Sequence, residues 1–183
     1  MNKTQRNIME AAIRVLSEDE YALLETIAAE AGVSRMTLHR YFNTRETLFE
    51  HIHEHLIQKQ MVIFQEAKEN QGDPLEQMKE IMKRNAGGDG FHLLYKEHRE
   101  HEDHDPETCK FSQVNKALAE IIKSLREAGY LQAYVPDAWV FHMYDGILFT
   151  AWETKNNGSV APKDIPDLAW RTFKNGLLET EEE

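Results

Sequence analysis

The 183-residue sequence contains one cysteine, Cys109, five prolines and nine glycines. A lone thiol excludes an internal disulfide, so a small secreted fold stapled by cystines is ruled out and a reducing compartment suits the composition. The scarcity of Pro and Gly excludes collagen-like and long disordered stretches. Long apolar runs are also missing. The chain reaches Glu10 and Arg14 without an uninterrupted segment of signal-peptide type, and its most apolar stretch, 138–152, carries His142 and Asp145. Such a stretch argues against a membrane span. The expectation is a folded, water-soluble, cytoplasmic protein long enough to bury a core without a metal clip, and nothing in its composition calls for a cofactor.

Positive charge is scarce too: 21 Lys and Arg stand against 32 Asp and Glu, a net charge of −11. Long-range attraction to nucleic acid or to an anionic membrane is therefore excluded, and any DNA binding has to come from a local patch. Val33 to Arg45 is such a patch, with Arg35, Arg40 and Arg45 and no acidic residue. On its own this clustering fits a solvated face as well as a binding surface, so its structural context decides.

Strict apolar–polar alternation is absent as well, whereas helical spacing recurs, which predicts an all-α chain. Ile8, Ala12, Val15 and Leu16 lie on one face of a first helix. A short second helix from about Leu23 to Ala31 buries Ile27, Ala28 and Ala31, and Gly32 can take the left-handed conformation that ends it. Ser34 is placed as the N-cap of a third helix, Arg35 to about Phe42, with Leu38 and Phe42 pointing inward. Two short helices around a glycine turn form a helix-turn-helix, whose second helix offers its N-terminal residues, here Arg35, Met36 and Thr37, to base edges. Thr44 caps a fourth helix running to about Asn70, long enough to join a small head to a helical body.

Beyond Gln71-Gly72-Asp73-Pro74, helices are expected over Pro74 to Arg84, Phe91 to Glu100 and Pro106 to Ala128, the last stopped by Gly129. Asp137, after Pro136, is a candidate cap for a helix to about Lys155 that is apolar nearly all round. A final helix carries the stripe Ile165, Leu168, Ala169, Thr172, Phe173, Gly176 and Leu177. Such a pair covers itself within one chain or packs on its copy in a four-helix bundle. Apolar faces on consecutive terminal helices favour a homodimer, with Trp139, Met143, Ile165, Ala169, Phe173, Gly176 and Leu177 as candidate interface residues.

The string from Ile27 through Leu48, including Ala31-Gly32-Val33-Ser34, Thr37-Leu38, Tyr41-Phe42 and Thr44-Arg45, closely resembles the signature of TetR/AcrR-type transcriptional regulators. The turn glycine, the cap, the aromatic pair and the fixed hydrophobics coincide at fixed offsets over about the first 50 residues. The resemblance implies a helix-turn-helix DNA-binding domain at 1–50 and a helical effector-binding and dimerisation domain at 51–183. The chain would then be a repressor that binds palindromic double-stranded DNA as a homodimer and is released by a small molecule. By position, Arg35, Met36, Thr37 and His39 would meet bases or nearby phosphates, Tyr41 the DNA backbone and Arg45 a phosphate. Arg40 and Thr44 complete the DNA-facing set. Their chemistry suits this, since an Arg can fork onto guanine and Met or Thr can pack on a thymine methyl. Tyr41, of mixed character, also suits the core. The sequence departs from the family at His39, where a Tyr is usual, and at Ala22, where a Ser or Thr commonly caps the second helix.

Nine histidines raise a metal-responsive alternative. His51 and His55 share a helix face, and His98, His101 and His104 recur beside Glu97, Glu100, Glu102 and Asp105. No cysteine accompanies them, and a Glu/His mixture is typical of exposed surface, so no metal ligand is assigned. His142, inside an apolar helix, reads as a hydrogen-bonded core residue. An enzyme is not expected: only Glu50 to His53 has the Glu-x-x-His spacing that a carboxylate oxidase needs twice, and phosphate-loop and nucleophile motifs are absent. A helical adaptor that binds only protein is the other rival. For an effector pocket between long helices, Phe64, Phe91, Tyr95, Phe111, Phe141, Tyr144 and Asp145 are candidates, each of which also suits an ordinary core.

Overall fold

In a computed structural model of the chain, the described residues are 2–94 and 111–179. Eight helices lie within them: α1 (Lys3–Glu18), α2 (Leu24–Glu30), α3 (Arg35–Tyr41), α4 (Arg45–Asn70), α5 (Pro74–Gly87), α6 (Phe111–Glu127), α7 (Asp137–Asn156) and α8 (Ile165–Leu177). Residues 91–94 add a further helical turn. The all-α expectation holds among these residues. A single antiparallel bridge, Leu131 to Leu178, ties the turn before α7 to the end of α8.

Local chemistry explains most of the boundaries. Asn2 caps α1 in a reciprocal box with Gln5, and Ser34 and Thr44 accept the Thr37 and Thr47 amides to start α3 and α4. Gly32, at φ 65°, supplies the left-handed residue between α2 and α3. Helix α5 runs to Gly87, one turn further than expected. The α7 cap needs correction: Pro136 occupies that position, Asp137 opens the helix, and its carboxylate pairs with Arg126 at 2.9 Å.

Two apolar clusters form. The head packs Ile8, Ala12 and Leu16 of α1, Ile27 and Ala28 of α2 and Leu38 and Phe42 around Leu48, Ile52 and Leu56 of α4, with Leu93 and Leu94 closing the set. The body packs Ile63, Phe64 and Ala67 at the far end of α4 with Met78, Ile81, Leu125, Leu148 and Phe173. Helix α4 thus gives its first half to one core and its second half to the other. Helix α8 lies against α5 closely enough that a Cβ at Gly87 would stand 3.2 Å from Pro166.

The terminal stripe divides between two environments. Ile165, Ala169, Phe173 and Leu177 are buried in the chain's own core, whereas Leu168, Thr172 and Gly176 face outward. Burial in the chain does not withdraw all of them from the surface, because Ile165 and Ala169 line the open cleft between α7 and α8. A stripe wider than one helical face has to serve two neighbours, and α5 and α7 claim its inner edge. Nor is α7 covered all round, since Trp139 is 59% exposed and Phe149 is exposed as well. His142 is exposed rather than a core residue.

Candidate nucleic-acid interface

The start of α3 is presented to solvent because Leu38 and Phe42 anchor its opposite face. Arg35 and Arg40 are exposed, Met36 is 82% exposed, and Thr37 and His39 are half-buried. A thioether so far in the open gains nothing from the core, while it is well placed for a thymine methyl. Thr37 and Ser34 hydroxyls lie 3.0 Å apart, so cap and candidate base-reader share one bond. The His39 Nδ1 lies 3.3 Å from the Asn43 carbonyl, and its Nε2 lies 3.5 Å from Arg35 Nε.

Two of the cationic residues have partners that sequence reading missed. Arg35 Nη1 meets Glu25 Oε1 of α2 at 2.6 Å. Arg45 Nη1 and Nη2 donate to the carbonyls of Ala22 and Glu20, both at 2.6 Å, while its guanidinium lies 5.0 Å above the Phe49 ring. In this structure Arg45 closes the turn between α1 and α2, and α2 itself starts after Leu23 with no side-chain cap. Neither partnership was legible, because nothing in the spacing of Glu25 or of two backbone carbonyls announces an ion pair or a clamp.

Arg40 stacks 5.1 Å above the Tyr41 ring. Tyr41 is half-buried against the head core, yet its phenol oxygen reaches Asn2, whose amide donates at 3.5 Å. That bond, chiefly, holds the Tyr41 hydroxyl below its ordinary pKa. Thr44 is exposed and occupied as a cap. Arg35, Met36, Thr37, His39 and Arg40 therefore come together on one helix, Tyr41 and Thr44 follow at its end, and Arg45 is engaged with the Ala22 and Glu20 carbonyls.

The histidine pairs gain no metal geometry. Among the described residues no group of three His, Cys, Asp or Glu is placed to hold an ion. His51 donates Nδ1–H to the Thr47 carbonyl at 2.8 Å and meets Phe42 edge-on. Burial, then Lys59, pushes His55 below the usual imidazole range. His98, His101, His104, Glu97, Glu100, Glu102, Asp105, Cys109 and Tyr95 lie outside the described residues.

Of the effector candidates, Phe64 and Tyr144 are buried in the body core, with Phe91, Phe111 and Phe141 packed against it. Tyr144 Oη accepts from Asn85 at 2.7 Å, and burial holds this phenol well above its ordinary pKa. The Asn85 side-chain oxygen is buried without a hydrogen-bond partner among the described residues. Asp145 follows Tyr144 on α7; burial raises its carboxyl to about 7.

Comparison with known proteins places this arrangement. Residues 8–52 match the family model described as bacterial regulatory proteins, tetR family. The HTH-type transcriptional repressor LfrR of Mycolicibacterium smegmatis is 24% identical over 176 residues, 96% of this chain and 91% of that protein. A crystal structure of LfrR from Mycobacterium smegmatis in complex with proflavine has a TM-score of 0.70 at 22% identity, covering 97% of both chains. The ketosteroid transcriptional regulator KstR2 of Mycobacterium tuberculosis has a TM-score of 0.67 at 13% identity, over 98% of this chain and 97% of that one. These structural likenesses establish the shared fold. With the match over residues 8–52 laid on the exposed face of α3, the chain is a DNA-binding transcriptional regulator whose head is similar to that of the bacterial regulatory proteins of the tetR family.

Proposed function

We propose that the protein is a repressor that binds a palindromic operator as a homodimer and leaves it when a small molecule enters the helical body. Residues 1–50 would be the DNA-binding domain and 51–183 the effector-binding and dimerisation domain, working in the cytoplasm where the DNA is. The observation that carries this reading is the exposed face of α3, with Arg35, Met36 and Arg40 together on an otherwise acidic chain. Its N-terminal end suits base edges in a major groove, and two copies related by a dyad suit successive grooves.

The homodimer is supported by an open apolar cleft of about 380 Å³ between α7 and α8, lined by Met143, Gly146, Thr150, Val160, Leu168 and Thr172. Leu168 is 48% exposed beside it, and Trp139 lies further along α7. Gly146 and Gly176 sit on exposed helix surface, where an added Cβ would meet no described atom within 4 Å. An exposed helical glycine costs roughly 1 kcal/mol against alanine, a cost that close approach of a second helix would offset.

For the effector, the body offers aromatic surface and a carboxylate, Asp145, that has no ion-pair partner among the described residues. Together with the net charge, this favours an apolar aromatic molecule carrying positive charge, since a cation would relieve the partly buried Asp145 carboxylate. Proflavine, a planar aromatic cation bound by the solved LfrR relative, is a suitable probe.

Selection of bound sequences from random double-stranded DNA at near-physiological salt tests the proposal. Enrichment of an inverted repeat is the expected outcome. Absence of any enriched sequence would overturn it and leave the α3 face as incidental surface.

A further inference from the structure

The last turn of an α-helix leaves carbonyl oxygens without intrahelical partners. At the end of α1 the Ser17 carbonyl is one of these, and two side chains from the distant helix α7 donate to it. Trp152 Nε1 does so at 3.2 Å and the Asn156 amide does so from the next turn. The same end of α7 holds the segment following α5. Lys155 pairs with Asp89 at 2.5 Å, and the Trp152 indole stacks on His92 with ring centres 4.3 Å apart and planes 12° from parallel. Between these two, Gly90 (φ 92°) runs so close to the head that a Cβ would stand 2.7 Å from Leu56 and 3.2 Å from Ile13. One end of α7 is thus fastened to the DNA-binding head both directly and through 89–92.

Another face of α7 forms the cleft with α8 that the proposed function gives to the second copy. The route from the dimer axis to each recognition helix then passes along α7 to Ser17 and into α1. We infer that Trp152 and Asn156 are positioning residues that fix the separation of the two recognition helices, and so select the half-site spacing of the operator. The inference rests on the dimeric DNA-binding reading. The physical reason is directional: apolar packing alone lets the head slide and rotate, while two hydrogen bonds converging on one carbonyl fix α1 in both position and orientation.

The test uses the full-length protein and the half-site it selects, arranged as inverted repeats with the spacer varied one base pair at a time across a helical turn. Trp152→Phe keeps the ring over His92 and removes the N–H; Asn156→Ala removes the second donor. The expected result for the double variant is unchanged affinity for an isolated half-site, with the preference for the best spacing over its neighbours reduced by about tenfold. A purely structural role would lower the melting temperature and weaken all spacings alike. An unchanged, sharp spacing profile in a folded double variant would overturn the inference. If the double variant does not fold, Asn156→Ala alone, at an exposed side chain, should flatten the profile by about threefold, and an unchanged profile there overturns it too. Failure of the wild-type protein to select any inverted repeat would instead strike the dimeric operator reading, and this inference with it.

Discussion

Arg35 of α3 and Glu25 of the helix before it form an ion pair of 2.6 Å, so the residue proposed to read a base is held by a carboxylate before DNA arrives. DNA has to displace Glu25 or bend Arg35 around it, and the carboxylate also repels phosphate. Both side chains are about half exposed or more, which limits the pair to roughly 0.2–1 kcal/mol. Glu25→Gln is expected to tighten operator binding by about two- to fivefold in fluorescence anisotropy titrations at fixed salt. A weaker complex would mean that Glu25 orients Arg35 for binding.

Arg35 and Arg40 should separate in their effects. Arg35→Ala should change the preferred bases in a repeated selection, losing about 1–3 kcal/mol of discrimination at one position of each half-site. Arg40→Ala, at the far end of α3, should weaken all sequences alike and reduce the salt slope by about one phosphate per head. Identical base preferences in both variants would refute this division of roles.

The clamp of Arg45 on the Ala22 and Glu20 carbonyls makes a stability prediction. Arg45→Ala should cost about 1–3 kcal/mol, a fall of several degrees in melting temperature. Arg45→Lys should recover only part of it, because one ammonium on a flexible stem does not reproduce a planar fork with two donors fixed in place. Melting curves identical to wild type would show that the clamp contributes nothing.

Asp145 gives the chain a pH dependence of defined sign. Its folded pKa of about 7 lies above the ordinary aspartate value of 3.8, so between these values the folded state binds more protons than the unfolded one. Its contribution to stability is fully present below the lower value, falls as pH rises through the window, and is lost above about 7. Asp145→Asn should therefore melt higher than wild type at about pH 8, by up to about 4 kcal/mol, with the difference vanishing near the lower value. Where proflavine, used as the probe of the proposed effector site, releases the wild-type protein from DNA, the same variant should lose that release. A constant stability difference across pH would remove burial of the carboxylate as the cause.

Gly146→Arg places a long cation in the cleft between α7 and α8 without meeting any described neighbour of its Cβ. Sedimentation at micromolar concentration should show a monomer with an unchanged helical circular dichroism spectrum, and a dimer of undiminished affinity would move the interface elsewhere.

What the sequence by itself determined lies where the signals are local. The Ser34 and Thr44 caps, the left-handed Gly32, and the four-residue spacing of Leu48, Ile52 and Leu56 each act within a turn or two of helix. They set the head and the presentation of α3 almost to the residue. The tertiary structure decided what those helices meet. It turned Arg45 toward carbonyls 23 and 25 residues away. It paired Arg35 with Glu25, and it buried Ile165, Ala169, Phe173 and Leu177 while leaving Leu168 and Gly176 outside. It also brought Trp152 and Asn156 to a carbonyl 135 and 139 positions earlier in the chain. An apolar stripe states that a helix face will be covered but is silent on which neighbour covers it, and a guanidinium reads alike in sequence whether it meets a phosphate or a backbone oxygen. Packing chooses among such partners, since hydrophobic burial is non-directional and directed bonds form only once it has set the helices side by side.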